Sequence, residues 1–239
     1  MIVQIGTIYA MELNEHRWGA AGGPRVLLLH GVQSSGATWW QIAEGLAERR
    51  ADVTAPDLRG HGASPSADRY RLTDFVSDLR PGWDLVVGHS LGGTVAAHAA
   101  ANGTGFARRI VLLDPVFDLP EDGFDELVAG QLSELTLTEA ELRRQHPRWH
   151  PEDIRHKAEA ARACDPRAAE ATLRENRPWD HGHLLAQIDT PVTILGGDPA
   201  HGALFAPTSD PRYTMLAGAG HSLHRDDPRA VLEALDAGL

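Results

Sequence analysis

The chain has 239 residues and carries 22 basic against 33 acidic side chains, a formal net charge of −11. Because a surface of that sign repels polyanions, we expect no nucleic-acid partner. Hydrophobic residues make up 42% of the sequence, which suits one large α/β domain or one domain with an inserted subdomain. The only lysine is Lys157, and no G-x-x-x-x-G-K-[ST] run is present, so a phosphate-binding loop is absent from the sequence.

Cysteine content and hydropathy bear on the cellular compartment. Cys164 is the only cysteine, so no intrachain disulfide can form and nothing requires an oxidising compartment. Residues 1–19 lack the basic segment and apolar run of a signal peptide. No window approaches the roughly 18 uninterrupted apolar residues of a membrane helix. We therefore expect a cytoplasmic protein that does not associate with membranes.

Taken in chain order, strand patterns alternate with helix patterns. Residues 2–10 and 11–19 alternate weakly between apolar and polar and predict two antiparallel strands at a sheet edge. Continuous apolar runs, typical of strands buried on both faces, cover residues 25–31, 83–90, 109–117, 190–197 and 212–218. Another strand is expected near the start of 51–64, and helices are predicted over 34–50, 91–101 and 227–239.

Residues 118–187 interrupt the alternation. They contain acidic and alanine-rich amphipathic segments, punctuated by prolines, and no strand-like run, so we predict a helical insertion. The alternation on either side predicts an α/β fold with a mostly parallel central sheet flanked by helices. Because such sheets place their chemistry at the carboxyl ends of the strands, the polar residues that follow each strand are the candidate site.

The segment Gly88-His89-Ser90-Leu91-Gly92 fits the G-x-S-x-G pattern between a predicted strand and a predicted helix. A tight turn there would expose the hydroxyl of Ser90 as a nucleophile, and side chains two residues away on either side would collide. The backbone amide of Leu91, at the helix start, could donate to a developing oxyanion. The alternative interpretation is a glycine-rich helix N-cap.

Four stretches, "LLLHG", "APDLRGHGAS", "VVGHSLGG" and "LAGAGHSLHRDDP", together resemble the α/β-hydrolase fold family over almost the whole chain. The resemblance implies Ser90 as nucleophile and His221, in the loop after the last predicted strand, as its base. It also implies Val32 and Leu91 as the amides of the oxyanion hole, with His30 bracing that turn. The insertion at 118–187 would then be a helical cap on a core made of residues 1–117 and 188–239.

Two aspartates could orient the imidazole of His221 and stabilise its protonated form. Asp198 follows the predicted strand 190–197 and lies near the usual acid position of the family, although the spacing is one residue short. Asp114 ends the strand that follows the nucleophile helix, a position that some family members use. We prefer Asp198 and keep Asp114 as the alternative. A further group, Asp57, Arg59 and His61, is interpreted as a hydrogen-bonded loop brace.

Aromatic residues and histidines near these loops suggest a substrate pocket. The candidate pocket residues are Trp39, Trp40, Trp149, Trp179 and His183. The closely spaced histidines come in pairs, whereas a catalytic zinc needs about three protein ligands, and H-E-x-x-H is absent. We therefore expect no metal and no cofactor.

The sequence thus favours a serine hydrolase with a Ser-His-Asp triad. Its partner would be a small, fairly apolar ester, lactone or thioester, cleaved through an acyl-enzyme. A C–C bond hydrolase, a perhydrolase-type enzyme or an amidase would use the same triad, because the fold does not choose among them. A hydrolase-like receptor for a small ligand is the alternative from another class. The sequence leaves the substrate and the oligomeric state open.

Overall fold

A computed structural model describes residues 11–103 and 105–236, and within them seven strands form one sheet. The strands are β1 (Glu15–Trp18), β2 (Arg25–Leu29), β3 (Asp52–Pro56), β4 (Leu85–His89), β5 (Ile110–Leu113), β6 (Val192–Gly196) and β7 (Tyr213–Met215). Their order across the sheet is β1-β3-β2-β4-β5-β6-β7. Only the β1–β3 pair is antiparallel among these strands. The predicted strand at 2–10 lies outside the described residues.

The helices cover both faces of the sheet. They are α1 (Trp40–Glu48), α2 (Leu72–Ser77), α3 (Leu91–Asn102), α4 (Phe124–Glu134), α5 (Glu139–Gln145), α6 (Pro151–Ala163), α7 (Pro166–Arg174), α8 (Leu223–Asp226) and α9 (Pro228–Asp236). The short helix α2 was not predicted. No helix in the described part of the chain has the length and apolar character needed to cross a membrane.

Strand β2 illustrates why the buried strands are apolar throughout. Leu27 and Leu29 join the core on the side of α2 and α3, whereas Val26 and Leu28 join the core on the side of α1 and α9. Successive side chains of a strand point to opposite faces, so a sheet covered by helices on both faces buries every position. The predicted α/β architecture is confirmed.

Residues 118–187 carry helices α4 to α7 and no strand longer than a single bridge. Pro151 and Pro166 each occupy the first turn of a helix, where a missing backbone N–H costs nothing. Helices α5 and α6 bury a small core of their own around Trp149 and Ile154. The segment is thus helical, as predicted.

Candidate active site

Ser90 lies on the turn between β4 and α3 in a strained backbone conformation. Its φ of 53° and ψ of −120° place a non-glycine residue in a sparsely populated region. The turn is held by bonds from Ser90 N to Leu113 O at 3.1 Å and from Gly93 N to Ser90 O at 2.9 Å. Such strain persists only when the surrounding structure fixes it, which is the behaviour expected of a presented nucleophile.

The glycines around Ser90 are required by backbone contacts. A Cβ on Gly88 would stand 2.4 Å from the carbonyl oxygen of Gly92. A Cβ on Gly92 would stand 2.2 Å from the carbonyl oxygen of Leu29 and 2.7 Å from that of His30. Backbone atoms cannot rotate away as side chains can, so a larger residue at Gly88 must separate α3 from β4, and one at Gly92 must separate α3 from β2.

We expect Gly92→Ala to lower the free energy of unfolding by about 1–3 kcal/mol through this overlap. Gly130→Ala is the matched control, because Gly130 lies exposed in α4 with open space around its Cβ position. That control should gain about 0.5–1 kcal/mol, since glycine is unfavourable in a helix. Urea unfolding followed by circular dichroism measures both, and equal effects of the two substitutions would contradict the steric requirement.

His221 and Asp114 form the shortest contact of the site. Nδ1 of His221 lies 2.6 Å from Oδ2 of Asp114. Asp114 is fully buried and also accepts backbone N–H bonds from Leu204 at 2.7 Å and from Gly197 and Phe205 at 3.2 Å each. Four donors compensate the burial of the carboxylate and fix its orientation.

The preferred acid, Asp198, makes no such contact, so the expected pairing of Asp198 with His221 is wrong. Its carboxylate accepts N–H bonds from Ala200 at 2.9 Å and Gly218 at 3.3 Å, and thereby caps a single helical turn after β6. These two amides lower the pKa of Asp198. The contact with the imidazole belongs to Asp114, the alternative acid.

Strand register explains this outcome. His89 at the end of β4 is paired with Leu113 at the end of β5, so the next residues, Ser90 and Asp114, leave the sheet side by side. Asp114 has a φ of 41°, which ends β5 four residues earlier than predicted. The sequence signal that could have found it is an aspartate directly after the buried strand that follows the nucleophile helix.

Ser90 and His221 line the same cavity, and their elements are tied together by His89. Nε2 of His89 donates to the backbone oxygen of His221 at 2.9 Å, and the two rings lie 4.7 Å apart. Burial lowers the pKa of His89 well below its usual value, so this ring stays neutral. No hydrogen bond joins the Ser90 hydroxyl to His221 in the described structure, a looseness common in sites without substrate.

The two predicted oxyanion residues, Val32 and Leu91, also line this cavity beside Ser90. The loop that carries Val32 is braced by His30, whose Nδ1 donates to Gly31 O at 2.8 Å. Nε2 of His30 accepts the N–H of Leu58 at 2.9 Å. Burial lowers the pKa of His30 to about 3, and the neutral ring can therefore serve both bonds.

The three side chains of the predicted brace at 55–64 each make hydrogen bonds, although Nε2 of His61 is buried without a partner among the described residues. Asp57 accepts the N–H of Gly36 at 2.7 Å, which ties the brace to the turn before α1. Arg59 forms an ion pair with Asp78 at 2.7 Å, and His61 Nδ1 donates to Arg59 O at 2.9 Å. All three predicted side chains thus hold backbone in place.

A cavity of about 670 Å³ lies above Ser90, between the sheet and the insertion. Its apolar wall consists of Val32, Leu91, Val116, Leu119, Leu127, Leu137, Leu142, Trp149, Leu173, Trp179 and Leu204. Trp149 and Trp179, two of the candidate pocket residues, line this cavity. Lys157 and Arg225 are among its charged lining residues and were not predicted, because neither belongs to a recognisable sequence motif.

Three of the candidate pocket residues lie elsewhere. Trp39 is fully buried in the core beneath α1, where its ring stacks on His224 at 4.5 Å. The indole of Trp40 donates to Asp153 at 2.8 Å, away from the cavity lining. His183 is exposed and bonds a nearby backbone oxygen. None of the three lines the cavity, so their assignment to the pocket was wrong.

The histidines of the described residues do not gather into a group of three or more possible metal ligands. His146 stacks on Trp149 with ring centres 3.8 Å apart, and His181 lies against His98. These pairs are explained by packing.

Comparison with known proteins gives the family. A model described as "Alpha/beta hydrolase family" matches residues 26–234. The chain belongs to the alpha/beta hydrolase family. Membership confirms the expected fold and the expected enzyme class, the α/β hydrolases.

Several family members resemble this chain over different lengths. "Lipase LipV" of Mycobacterium tuberculosis is 38% identical over 130 residues, which span 52% of this chain and 49% of the lipase. "Esterase Rv0045c" of the same organism is 28% identical over 97% of this chain and 86% of the esterase. The solved structure of "E-2-(Acetamidomethylene)succinate Hydrolase" is 25% identical, with a TM-score of 0.80 over 97% of this chain and 96% of that chain.

Proposed function

We propose that the protein is a serine hydrolase that cleaves a small, fairly apolar carboxylic ester, lactone or thioester through an acyl-enzyme. The observation that carries the proposal is the 2.6 Å contact between His221 and Asp114 at the end of the sheet where the strained turn holds Ser90. A nucleophile, a base and an orienting carboxylate at one cavity are the parts that acyl transfer needs.

The mechanism follows from these positions. Ser90 Oγ attacks the carbonyl carbon while Nε2 of His221 takes its proton, and the carboxylate of Asp114 stabilises the imidazolium. The amides of Val32 and Leu91 donate to the oxyanion. His221 returns the proton to the leaving group, whose departure leaves Ser90 acylated. Water, deprotonated by His221, then releases the acid and restores the hydroxyl.

The cavity supports the substrate class. Its volume of about 670 Å³ lies within the roughly 300–1,000 Å³ typical of small-ligand sites, and aliphatic and indole side chains dominate its wall. Residues 118–187 contribute Leu127, Leu142 and Trp149 to that wall, which supports their role as a cap over the site. Two family members that resemble the chain carry the names lipase and esterase.

Amide hydrolysis on the same triad is the second candidate. It is favoured by the resemblance to the solved structure of an (acetamidomethylene)succinate hydrolase, since an acetamido group contains an amide. The same residues could also serve C–C bond cleavage, perhydrolysis or slow ligand turnover by a receptor. These alternatives are distinguished from ester hydrolysis by which substrates the protein turns over.

The proposal predicts multiple turnovers on a panel of short p-nitrophenyl esters, lactones and thioesters. It also predicts that an alkyl fluorophosphonate adds one phosphonyl group, attached to Ser90, and stops turnover. Intact-mass spectrometry and peptide mapping measure the label. Turnover without labelling of Ser90, or labelling elsewhere, would overturn the nucleophile assignment, and a single stoichiometric event would favour the receptor.

A further inference from the structure

Two cationic side chains, Lys157 on α6 and Arg225 on α8, line the cavity beside the loop that follows Val32. Lys157 Nζ donates to the backbone oxygen of Gln33 at 3.1 Å. The guanidinium of Arg225 donates to the hydroxyls of Ser34 at 3.1 Å and Ser222 at 3.2 Å. Both cations thus contact the same short stretch of chain, Gln33 and Ser34.

Neither cation has a carboxylate within ion-pair distance among the described residues. Arg225 is only 4% exposed, and its Nε is buried without a hydrogen-bond partner there. Burial lowers the pKa of Arg225 to about 10 and that of Lys157 to about 8. Removing a cation from water without a counter-ion is unfavourable, so a bound anion would stabilise the buried Arg225 and, to a smaller extent, the partly exposed Lys157.

The acids near Arg225 are engaged by other donors. Asp226 accepts the indole N–H of Trp149 at 2.7 Å and the N–H of Gly220 at 2.8 Å. Asp153 accepts from Trp40 at 2.8 Å and from Gln41 at 2.7 Å. Each carboxylate oxygen of these two residues therefore has a neutral donor.

Another buried arginine of this chain provides the contrast. Arg59, which is 7% exposed, pairs with Asp78 at 2.7 Å and donates to the backbone oxygens of Arg69 and Asp74. Arg59 is therefore neutralised by direct contact with a carboxylate. At the cavity, Glu134 acts on Lys157 and Asp153 and Asp226 act on Arg225 only from beyond contact distance, so both cations line the space where substrate binds without a contact partner among the described residues.

We propose that the substrate carries a carboxylate, remote from the reacting carbonyl, that binds between Lys157 and Arg225. This rests on the proposed function and narrows it to half-esters and related monoacyl derivatives of dicarboxylic acids. The apolar wall would contact the chain between the two carbonyl carbons. Arg225 lies over the Trp149 ring at 5.1 Å, which restricts the guanidinium to one side of the pocket.

Paired substrates test the inference. Monomethyl and dimethyl esters of succinate, glutarate and adipate differ at the remote end, which is a carboxylate in the first and a neutral methyl ester in the second. We expect the wild type to prefer the monomethyl ester, in kcat/KM, by about tenfold or more at one or more chain lengths. Lys157→Gln and Arg225→Gln should remove the preference, so that the ratio of kcat/KM for the monomethyl and dimethyl esters falls by about tenfold even where the loss of the bonds to Gln33, Ser34 and Ser222 slows both esters. Arg155→Gln, on α6 but outside the cavity lining, should keep the preference.

The outcomes separate this inference from a structural role and from the proposed function. If Lys157 and Arg225 only hold the loop at Gln33 and Ser34, both kinds of ester suffer equally, and the inference is overturned. A wild type that prefers the dimethyl esters at every length also overturns it. If no ester turns over, the proposed function fails, and calorimetry then tests whether the same monoanions bind. Binding to the wild type that is lost in Lys157→Gln supports the carboxylate site. Absence of binding to the wild type refutes the carboxylate site.

Discussion

Replacing Ser90 with alanine is expected to lower kcat for the best ester by about 10⁵–10⁶-fold, down to the residual activity that binding and oxyanion amides alone provide. The substitution removes one oxygen and leaves the backbone of the turn unchanged. No other hydroxyl in the described structure leaves the end of β4 on such a turn, so none can take its place. Steady-state assays with p-nitrophenyl esters measure the loss of kcat.

Ser66→Ala is the matched control for this loss. Its hydroxyl donates to Asp165 at 2.8 Å on the exterior, and the residue lies outside the cavity lining. Activity within about twofold of the wild type is expected. Both variants should unfold at the wild-type temperature, because neither hydroxyl is part of the core. A Ser90→Ala enzyme that keeps most of its activity would refute the acyl-enzyme mechanism.

Asp114→Asn is expected to reduce kcat by about 10³–10⁴-fold and also to lower the free energy of unfolding, because the new NH₂ group must face backbone N–H groups that the carboxylate accepts. The amide has the same size, but it cannot stabilise the imidazolium, and its NH₂ group can favour the wrong tautomer of His221. The loss should appear in kcat more than in KM, since the carboxylate lies behind the imidazole. Steady-state kinetics on one ester measures it, with circular dichroism to check folding.

Asp198→Asn is the matched comparison, because Asp198 follows β6, the strand next to β5, which precedes Asp114. An asparagine can still cap the turn after β6, so activity should stay within about threefold of the wild type. A larger loss for Asp198→Asn than for Asp114→Asn would restore the acid preferred from the sequence. Equal mild losses would mean that neither carboxylate supports His221.

Local patterns were sufficient to predict most of the fold. The strands buried on both faces are continuous apolar runs, and the G-x-S-x-G turn depends on glycines only two residues away. These signals lie within a few neighbours along the chain, which is why β2, β4 and α3 were correctly placed. Helix α2, six residues with a mixed pattern, gave no such signal.

The composition of the site could not be predicted fully, because it depends on contacts between residues that are distant in the sequence. The choice between Asp114 and Asp198 was decided by the register of β4 against β5, and by which aspartate meets the amides of the loop after β6. Trp39 and Trp149 look alike in sequence, yet one packs beneath α1 and the other lines the cavity. Lys157 and Arg225 can be recognised as a candidate anion site only in the structure, where neither has a carboxylate within ion-pair distance among the described residues.

The support of Asp114 by backbone amides has a consequence for how this enzyme can change. Leu204 holds the carboxylate through its N–H at 2.7 Å, while its side chain lines the cavity and is 57% exposed. The amide is common to all residues except proline, so nearly any side chain could be accepted at this position without disturbing the acid. Substrate range can therefore drift, under natural selection or in a laboratory library, at a residue whose backbone is hydrogen-bonded to Asp114.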